Sequence, residues 1–229
     1  ASTSRGAGAS LDLDPTRISW TDRLIADALK GKQHSFDAEA IRNGLYRPFT
    51  KQAVYFDPSM VHRVYQQGRF FPTPNHANVG ITVIDSGARA PFSVLMAGLL
   101  PDSKMYVDAA QFFPRWTYEK ASDPSTGSGH EQGSLLETTS TGSAGGDVDE
   151  WGYRRVDNIT DGIQALYRER FGASVTKDDV FYYVYGVLHS EQYRITFAAD
   201  LKRMLPRIPL AATASDFFAF GNAGRKLAD

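Results

Sequence analysis

Sixteen of the thirty residues from 121 to 150, ASDPSTGSGHEQGSLLETTSTGSAGGDVDE, are Ser, Thr or Gly, and the only apolar pair among them is Leu135-Leu136. A stretch of this kind cannot bury enough surface to offset the entropy of ordering it. It is expected to be a disordered acidic insertion, and it confines folding to the chain on either side. The first ten residues have no apolar core, so no secretory signal is expected in them, and residues 1–15 are expected to form a flexible leader. Residues 16–120 and 151–229 are left to fold. With 28 Phe, Tyr and Trp among 229 residues, the chain has ample surface for a core.

The two segments differ in hydrophobic period. Residues 20–32 read as a short amphipathic helix: Thr21 or Asp22 can cap it, Leu24, Ile25, Ala28 and Leu29 share a face, and Gly31 can stop it. A second brief helical stretch is expected over 37–42, ending at Asn43-Gly44. The runs 52–56, 79–85, 92–97 and 105–113 are β-branched or aromatic and are bounded by Asp-Pro, Thr-Pro-Asn, Ser-Gly and Pro-Asp turn signals. No helix of crossover length separates them, which predicts a mixed or antiparallel sheet over 45–118.

Beyond 151 the pattern reads as helical. Thr160 can cap a helix closed by Gly172, and Thr176 with Asp179 forms a capping-box pair opening 177–189. Ser190 restarts a helix to about Met204, residues 205–210 are held extended by Pro206 and Pro209, and 215–227 form a last helix. The expected fold class is α+β: a mainly β N-terminal half (16–120) with short helices before it, then a helical half (151–229), with the insertion between them.

Charge and composition exclude several function classes. The chain has no Cys, which removes disulfides, thiolate catalysis and Cys-based metal sites. No window reaches the ~18 apolar residues of a membrane span, so a cytoplasmic protein without a membrane partner is expected. The formal net charge of −1 hides an uneven distribution. The insertion carries six acids and no Lys or Arg, so the rest of the chain stands at +5. Residues 41–80 hold Arg42, Arg47, Lys51, Arg63 and Arg69 against Asp57 alone, interleaved with seven aromatic residues. Such a surface is compatible with a polyanion without requiring one.

The sequence has no G-x-x-x-x-G-K-[ST] loop, no G-x-G-x-x-G turn, no H-E-x-x-H, no EF-hand loop and no G-x-S-x-G elbow. Asp85-Ser86-Gly87 at a strand end, with His76 or His189 as base, would make a small Ser/His/Asp hydrolase, against the plainer reading of a polar turn. Lys177-Asp178-Asp179 resembles a nuclease metal cluster, but acids in a first helical turn also complement the helix dipole. His189, at a helix C-terminus, reads as a favourable cap rather than a catalyst.

The richest stretch is 43–57, NGLYRPFTKQAVYFD. Tyr46, Phe49, Tyr55 and Phe56 read as core rings, and Arg47 as a structural ion pair with Asp57. The loops that follow carry His62, Arg63, Gln66, Gln67, Arg69, Asn75, His76 and Asn78, whose amides are of the kind that read adenine. A solvated polar loop is the competing reading.

Tyr46-Arg47-Pro48-Phe49-x-Lys51-x5-Asp57, the later Phe113-Pro114, the run DDVFYYVYGVLHSEQYRITFAADLKRMLPRIPL from 178 to 210, and Phe220-Gly221-x-Ala223-Gly224-x-x-Leu227-Ala228 stand in one order and spacing. Together they resemble the C-terminal specificity (target-recognition) region of type ISP single-polypeptide restriction–modification enzymes and of related helicase–methyltransferase proteins. The resemblance runs from about Trp20 to Asp229 and is interrupted by the acidic tract, which is not part of the pattern.

The resemblance implies a non-catalytic fragment, truncated at its C-terminus, of a larger nuclease–helicase–methyltransferase. Its partners would be double-stranded DNA and the methyltransferase and helicase modules of the same polypeptide. It implies no cofactor in this region; ATP, Mg and S-adenosylmethionine would serve the other modules, and neither a motor motif nor N-P-P-[YF] occurs here. Read for DNA, charge and loop position put Lys51, Arg63, Arg69 and Arg115 on phosphates, and Gln66, Asn75 and His76 at base edges. The alternative within the same parentage is a coupling domain, marked by an exposed apolar patch on helices 177–204.

Overall fold

The structure, a computed structural model, describes residues 11–12, 14, 16–17, 19–61, 64–121 and 147–229. Its N-terminal part holds α1 (Asp22–Leu29), β1 (Ile41–Arg47), β2 (Thr50–Tyr55), α2 (Gln67–Phe70), β3 (Gly80–Ile84), β4 (Val94–Ala97), β5 (Leu100–Pro101), β6 (Ala110–Pro114) and β7 (Trp116–Lys120). After the tract come β8 (Tyr153–Asp157), α3 (Asp161–Phe171), α4 (Lys177–His189), α5 (Glu191–Thr196), α6 (Ala198–Leu201) and α7 (Ala214–Ala228). The fold is α+β, with strands first and helices after. No helix among the described residues is long and apolar enough to cross a membrane.

The strands form three small sheets, ordered β2-β1-β5, β4-β3-β6 and β7-β8. All pairings are antiparallel except β1 with β5, which is parallel. Every residue of β3 is buried, as its Ile and Val run requires of a strand covered on both faces. Ile81, Val83 and Val94 from this sheet join Tyr167, Tyr183 and Phe217 from the helices in one core. The Tyr185 hydroxyl also accepts the Met96 N–H at 3.0 Å, tying α4 to β4. A smaller cluster of Phe56, Phe71 and Leu100 lies under the loops before β3.

The helix caps are where local chemistry puts them. Thr21, Thr160 and Ser190 each accept an N–H of the first turn, and Thr176 and Asp179 satisfy each other's backbone in a capping box. Helices α4 and α7 approach closely because glycines stand at their crossing. A Cβ on Gly224 would lie 2.9 Å from the Tyr182 carbonyl carbon, and one on Gly186 would lie 3.0 Å from that of Phe220.

Five expectations are corrected. Residues 37–42 form only a 3-10 turn at Ala38–Ala40, capped by Asp37, before β1 begins at Ile41. Asn43-Gly44, which looks like a turn, is mid-strand, where a Cβ on Gly44 would lie 2.7 Å from Val54 Cγ2 on the neighbouring β2. Of the run 105–113 only 110 onward is strand, since 102–108 folds into turns with Val107 at φ 71. The helix expected after Ser190 breaks at Phe197 (φ −106, ψ 18), whose ring packs on Tyr193 at 5.0 Å. Finally, the segment after the tract opens with a strand, β8, paired along its length with β7.

The tract therefore leaves from and returns to one ladder. Residues 122–146, and with them most of the expected disordered insertion, lie outside the described residues. Its last residues are placed: Val148 bridges Arg154, and Asp149 accepts the Trp151 and Tyr153 N–H groups at 3.0 and 2.9 Å.

Candidate nucleic-acid interface

The five basic residues of 41–80 have different fates. Arg42 is buried; its guanidinium donates to Glu39 O and to Pro72 O (2.8 Å), fastening the loop before β3 to β1. Burial lowers its pKa, against the opposing pull of Asp37 and Glu39. Arg47 is indeed ion-paired, but with Asp102 at 2.8 Å rather than Asp57, and its guanidinium lies 4.1 Å from the Tyr46 ring centre. Asp57 instead accepts the Ser59 N–H at 2.6 Å, and the Ser59 hydroxyl as well. Arg69 meets Glu119 at 3.3 Å and reaches Gln66 Oε1 at 3.3 Å. Arg63 lies outside the described residues. Lys51 stands exposed on β2 with no ion pair among the described residues.

Arg115 and His76 stand inside the fold, which corrects their expected place on an outer surface. The Arg115 side chain is 7% exposed; its Nε donates to Asp178 at 2.6 Å and its Nη1 to Asp157. It joins the start of β7 to the first turn of α4, where Lys177 also meets Asp157 (3.4 Å) and Asp161 (2.6 Å). Asp179 is held by the capping box and by Arg225 at 2.7 Å. The 177–179 cluster is thus committed to scaffold, and no metal-holding group of His and carboxylates occurs among the described residues.

The His76 side chain is 2% exposed, edge-on to Tyr118, Tyr153 and Trp151 at 4.6, 5.0 and 5.4 Å. Its Nε2 donates to Asp149 Oδ2 at 2.9 Å, and its Nδ1 is hydrogen-bonded with the Thr73 hydroxyl at 2.6 Å. Burial pushes the Asp149 pKa up. Hydrogen bonds from Tyr153, His76 and Trp151 outweigh that and hold it below the usual carboxylate range. A cavity of 680 Å³ opens beside this hub, bordered by Asn75, His76, Trp151 and Lys177. Asn75 is exposed at its rim, and Gln66 is exposed at the start of α2. The described members of the expected site therefore fall in four places: Lys51 on β2, Gln66 with Arg69 at α2, Asn75 with His76 at the cavity, and Arg115 between β7 and α4.

The β1–β2 ribbon is the feature that sequence reasoning missed. β2 is the outer strand of its sheet and is exposed from Thr50 to Ala53. Tyr46 and Phe49, expected in the core, are 47% and 89% exposed, while Phe56 is buried as expected. The two residues closing the ribbon are Pro48 and Phe49, between the paired Arg47 and Thr50. Proline at the first position with φ 68 at the second is the type II combination, whose second position normally holds Gly. A side chain there costs about 1–2 kcal/mol. Type II turns also splay paired strands, and a register irregularity between Leu45 and Arg47 absorbs the mismatch.

The hydrolase arrangement does not assemble. Asp85 Oδ1 accepts from the Ser86 N–H (2.8 Å) and from Gln111 (2.9 Å). His76 is engaged with Thr73 and Asp149, and His189 lies edge-on to Tyr185 at 4.6 Å. Nor is a continuous apolar patch formed on 177–204. The apolar residues of α4 are largely buried, and the large exposed hydrophobics of that span are Ile195 and Met204.

His189 is not a charged cap, because burial and the neighbouring Arg194 lower its pKa from 6.5, and its Nε2 is buried without a partner among the described residues. Above pH about 6.5 the ring is neutral in folded and unfolded chains alike. As pH falls through that value the unfolded chain takes up the proton first, so stability is lost. Thermal midpoints measured from pH about 7 to 5 should fall less in His189→Phe than in the parent chain.

Residues 2–229 match the family described as the Type ISP C-terminal specificity domain. No curated protein matches the chain. Three solved structures resemble it over nearly its whole length. The cryo-electron microscopy structure of the DrdV–DNA complex has a TM-score of 0.73 and 29% identity, covering 92% of this chain and 18% of that one. The ATP-dependent Type ISP restriction–modification enzyme LlaBIII bound to DNA has a TM-score of 0.71 and 25% identity, covering 93% and 12%. A nuclease-deletion mutant of the Type ISP enzyme LlaGI in complex with a DNA substrate mimic has a TM-score of 0.64 and 31% identity, covering 93% and 13%. The chain thus spans less than a fifth of each of these proteins.

Proposed function

The chain belongs to the Type ISP C-terminal specificity domain family, and from that membership we propose that it recognises duplex DNA on behalf of a larger restriction–modification polypeptide. The observation that carries this reading is the family match over residues 2–229, together with three similar structures that all contain DNA. The domain is a reader without chemistry of its own. Nuclease, translocase and adenine methyltransferase modules elsewhere in the polypeptide would cut, move and methylate, using ATP, Mg and S-adenosylmethionine outside the residues described above, in the cytoplasm.

The β1–β2 ribbon supports this reading physically. Strands of a small sheet can enter a groove of B-form DNA, and β2 is the free outer strand of the β2-β1-β5 sheet. Here the outer strand presents Lys51, whose charge no carboxylate in the described residues neutralises, and the exposed amide of Gln52. Lys51 neutralises a phosphate and sets register; Gln52 can donate to and accept from an adenine edge.

Fluorescence anisotropy of a labelled duplex at low and moderate salt tests the reading. Binding should weaken steeply as salt rises, and Lys51→Ala should reduce the salt slope by about 1 while weakening all sequences alike. Absence of salt-sensitive binding at micromolar protein would overturn it.

A further inference from the structure

Phe49 is the most exposed large hydrophobic residue among those described, at 89%, and it stands at the outermost point of the β1–β2 ribbon. Among the described residues, two other non-glycine residues have positive φ, Tyr65 and Val107, and both are less exposed. The chain path at Phe49 is one that glycine would follow with less strain. A ring at that position therefore serves something other than the turn, and no ring stacking involving Phe49 occurs among the described residues.

The base of the turn is clamped. Arg47 donates to Asp102 and to Tyr46 O, both at 2.8 Å, and stacks on the Tyr46 ring. The Asp102 N–H in turn donates to Leu45 O at 3.0 Å. With Pro48 fixing the preceding torsion, the ring is displayed from a stiff tip rather than from a mobile loop. Its flanks are polar or cationic: Thr50, Lys51 and Gln52 on one side, the Arg47 guanidinium on the other. A ring protruding from a turn tip, with the half-exposed Tyr46 ring covered by Arg47 and the charge of Lys51 beside it, differs in shape from the broad apolar patch that a protein partner would cover. It matches the apolar wedges that part adjacent base pairs.

We propose that Phe49 is a stacking wedge that enters the base stack of the DNA held by the β1–β2 ribbon. The proposal rests on the DNA-reading function above. The ring gains stacking on a base face while Lys51 holds the backbone, and the cost is the opening of one base step. A step already weakened is cheaper to open, so the wedge prefers it, whatever the target sequence.

Two fluorescein-labelled duplexes, identical except for one central mismatch, are titrated with the 229-residue chain and with Phe49→Gly and Phe49→Trp. The parent chain is expected to bind the mismatched duplex roughly tenfold tighter. Phe49→Gly should lose that preference while melting at the same or a higher temperature, because glycine suits the turn; Phe49→Trp should keep it. A preference that survives in Phe49→Gly overturns the wedge. Salt-sensitive binding to both duplexes without preference overturns it too, and leaves the DNA-reading function standing. Binding to neither duplex overturns both. DNA binding unchanged in Phe49→Gly, with loss of co-purification with a methyltransferase module, would assign the ring to a protein partner and overturn the wedge.

Discussion

Gly224→Ala is expected to destabilise the protein by about 3 kcal/mol or more, measured by urea unfolding. The added methyl would meet the backbone of Tyr182 on the facing helix, with the carbonyl carbon 2.9 Å away. A clash with a side chain can be relieved by a rotamer, but a clash with a carbonyl can be relieved only by moving α4 and α7 apart. That separation would loosen the contacts Phe217 and Phe220 make with Tyr183. Gly221, one turn earlier on the same helix, supplies the control. A Cβ there has its nearest neighbour at 3.6 Å, an ordinary contact. Gly221→Ala should therefore change stability by no more than ~1 kcal/mol, with helix propensity favouring the substitution.

The second large effect is expected at Phe217. Its side chain is fully buried, stacked on Phe171 at 4.7 Å and 4°, and packed on Tyr183 and Tyr167 at 4.9 and 5.6 Å. Phe217→Ala would leave a cavity walled by rings that cannot collapse into it, costing about 3–5 kcal/mol. Phe217→Leu should cost clearly less. The test is a shift in urea midpoint at unchanged m-value. For a domain stabilised by roughly 5–15 kcal/mol, either substitution would place a large fraction of its stability at stake.

What the sequence made legible was what local chemistry decides. Thr160, Thr176 and Ser190 open their helices because a hydroxyl before a helical run has N–H groups to accept, whatever lies elsewhere in the chain. The buried run at β3 could be read for the same reason. The pairing of β7 with β8 could not, because their partners are separated by the whole acidic tract and neither strand alternates cleanly. β1 was obscured by Asn43-Gly44, a turn signal that here serves close packing against a neighbouring strand.

The site was less legible than the fold. Counting charges over 41–80 cannot say that Arg47 will find Asp102 or that Arg69 will find Glu119, each about fifty residues away. Arg115 looked like a phosphate ligand until Asp157 and Asp178 were brought to it from beyond the tract. Phe49 read as core because rings usually are core. Its placement outside depends on a positive φ that Pro48-Phe49 does not announce.

The β7–β8 ladder gives the domain a place where sequence can be added or removed cheaply. The Ala121 N–H is bonded to Gly152 O at 2.9 Å, so the ladder holds both ends of the intervening chain together. Loop-closure entropy grows only with the logarithm of length, so shortening or lengthening that connection fivefold alters folding by about 1.4 kcal/mol. Related domains could therefore differ greatly in length at this point without altering the register of a single strand.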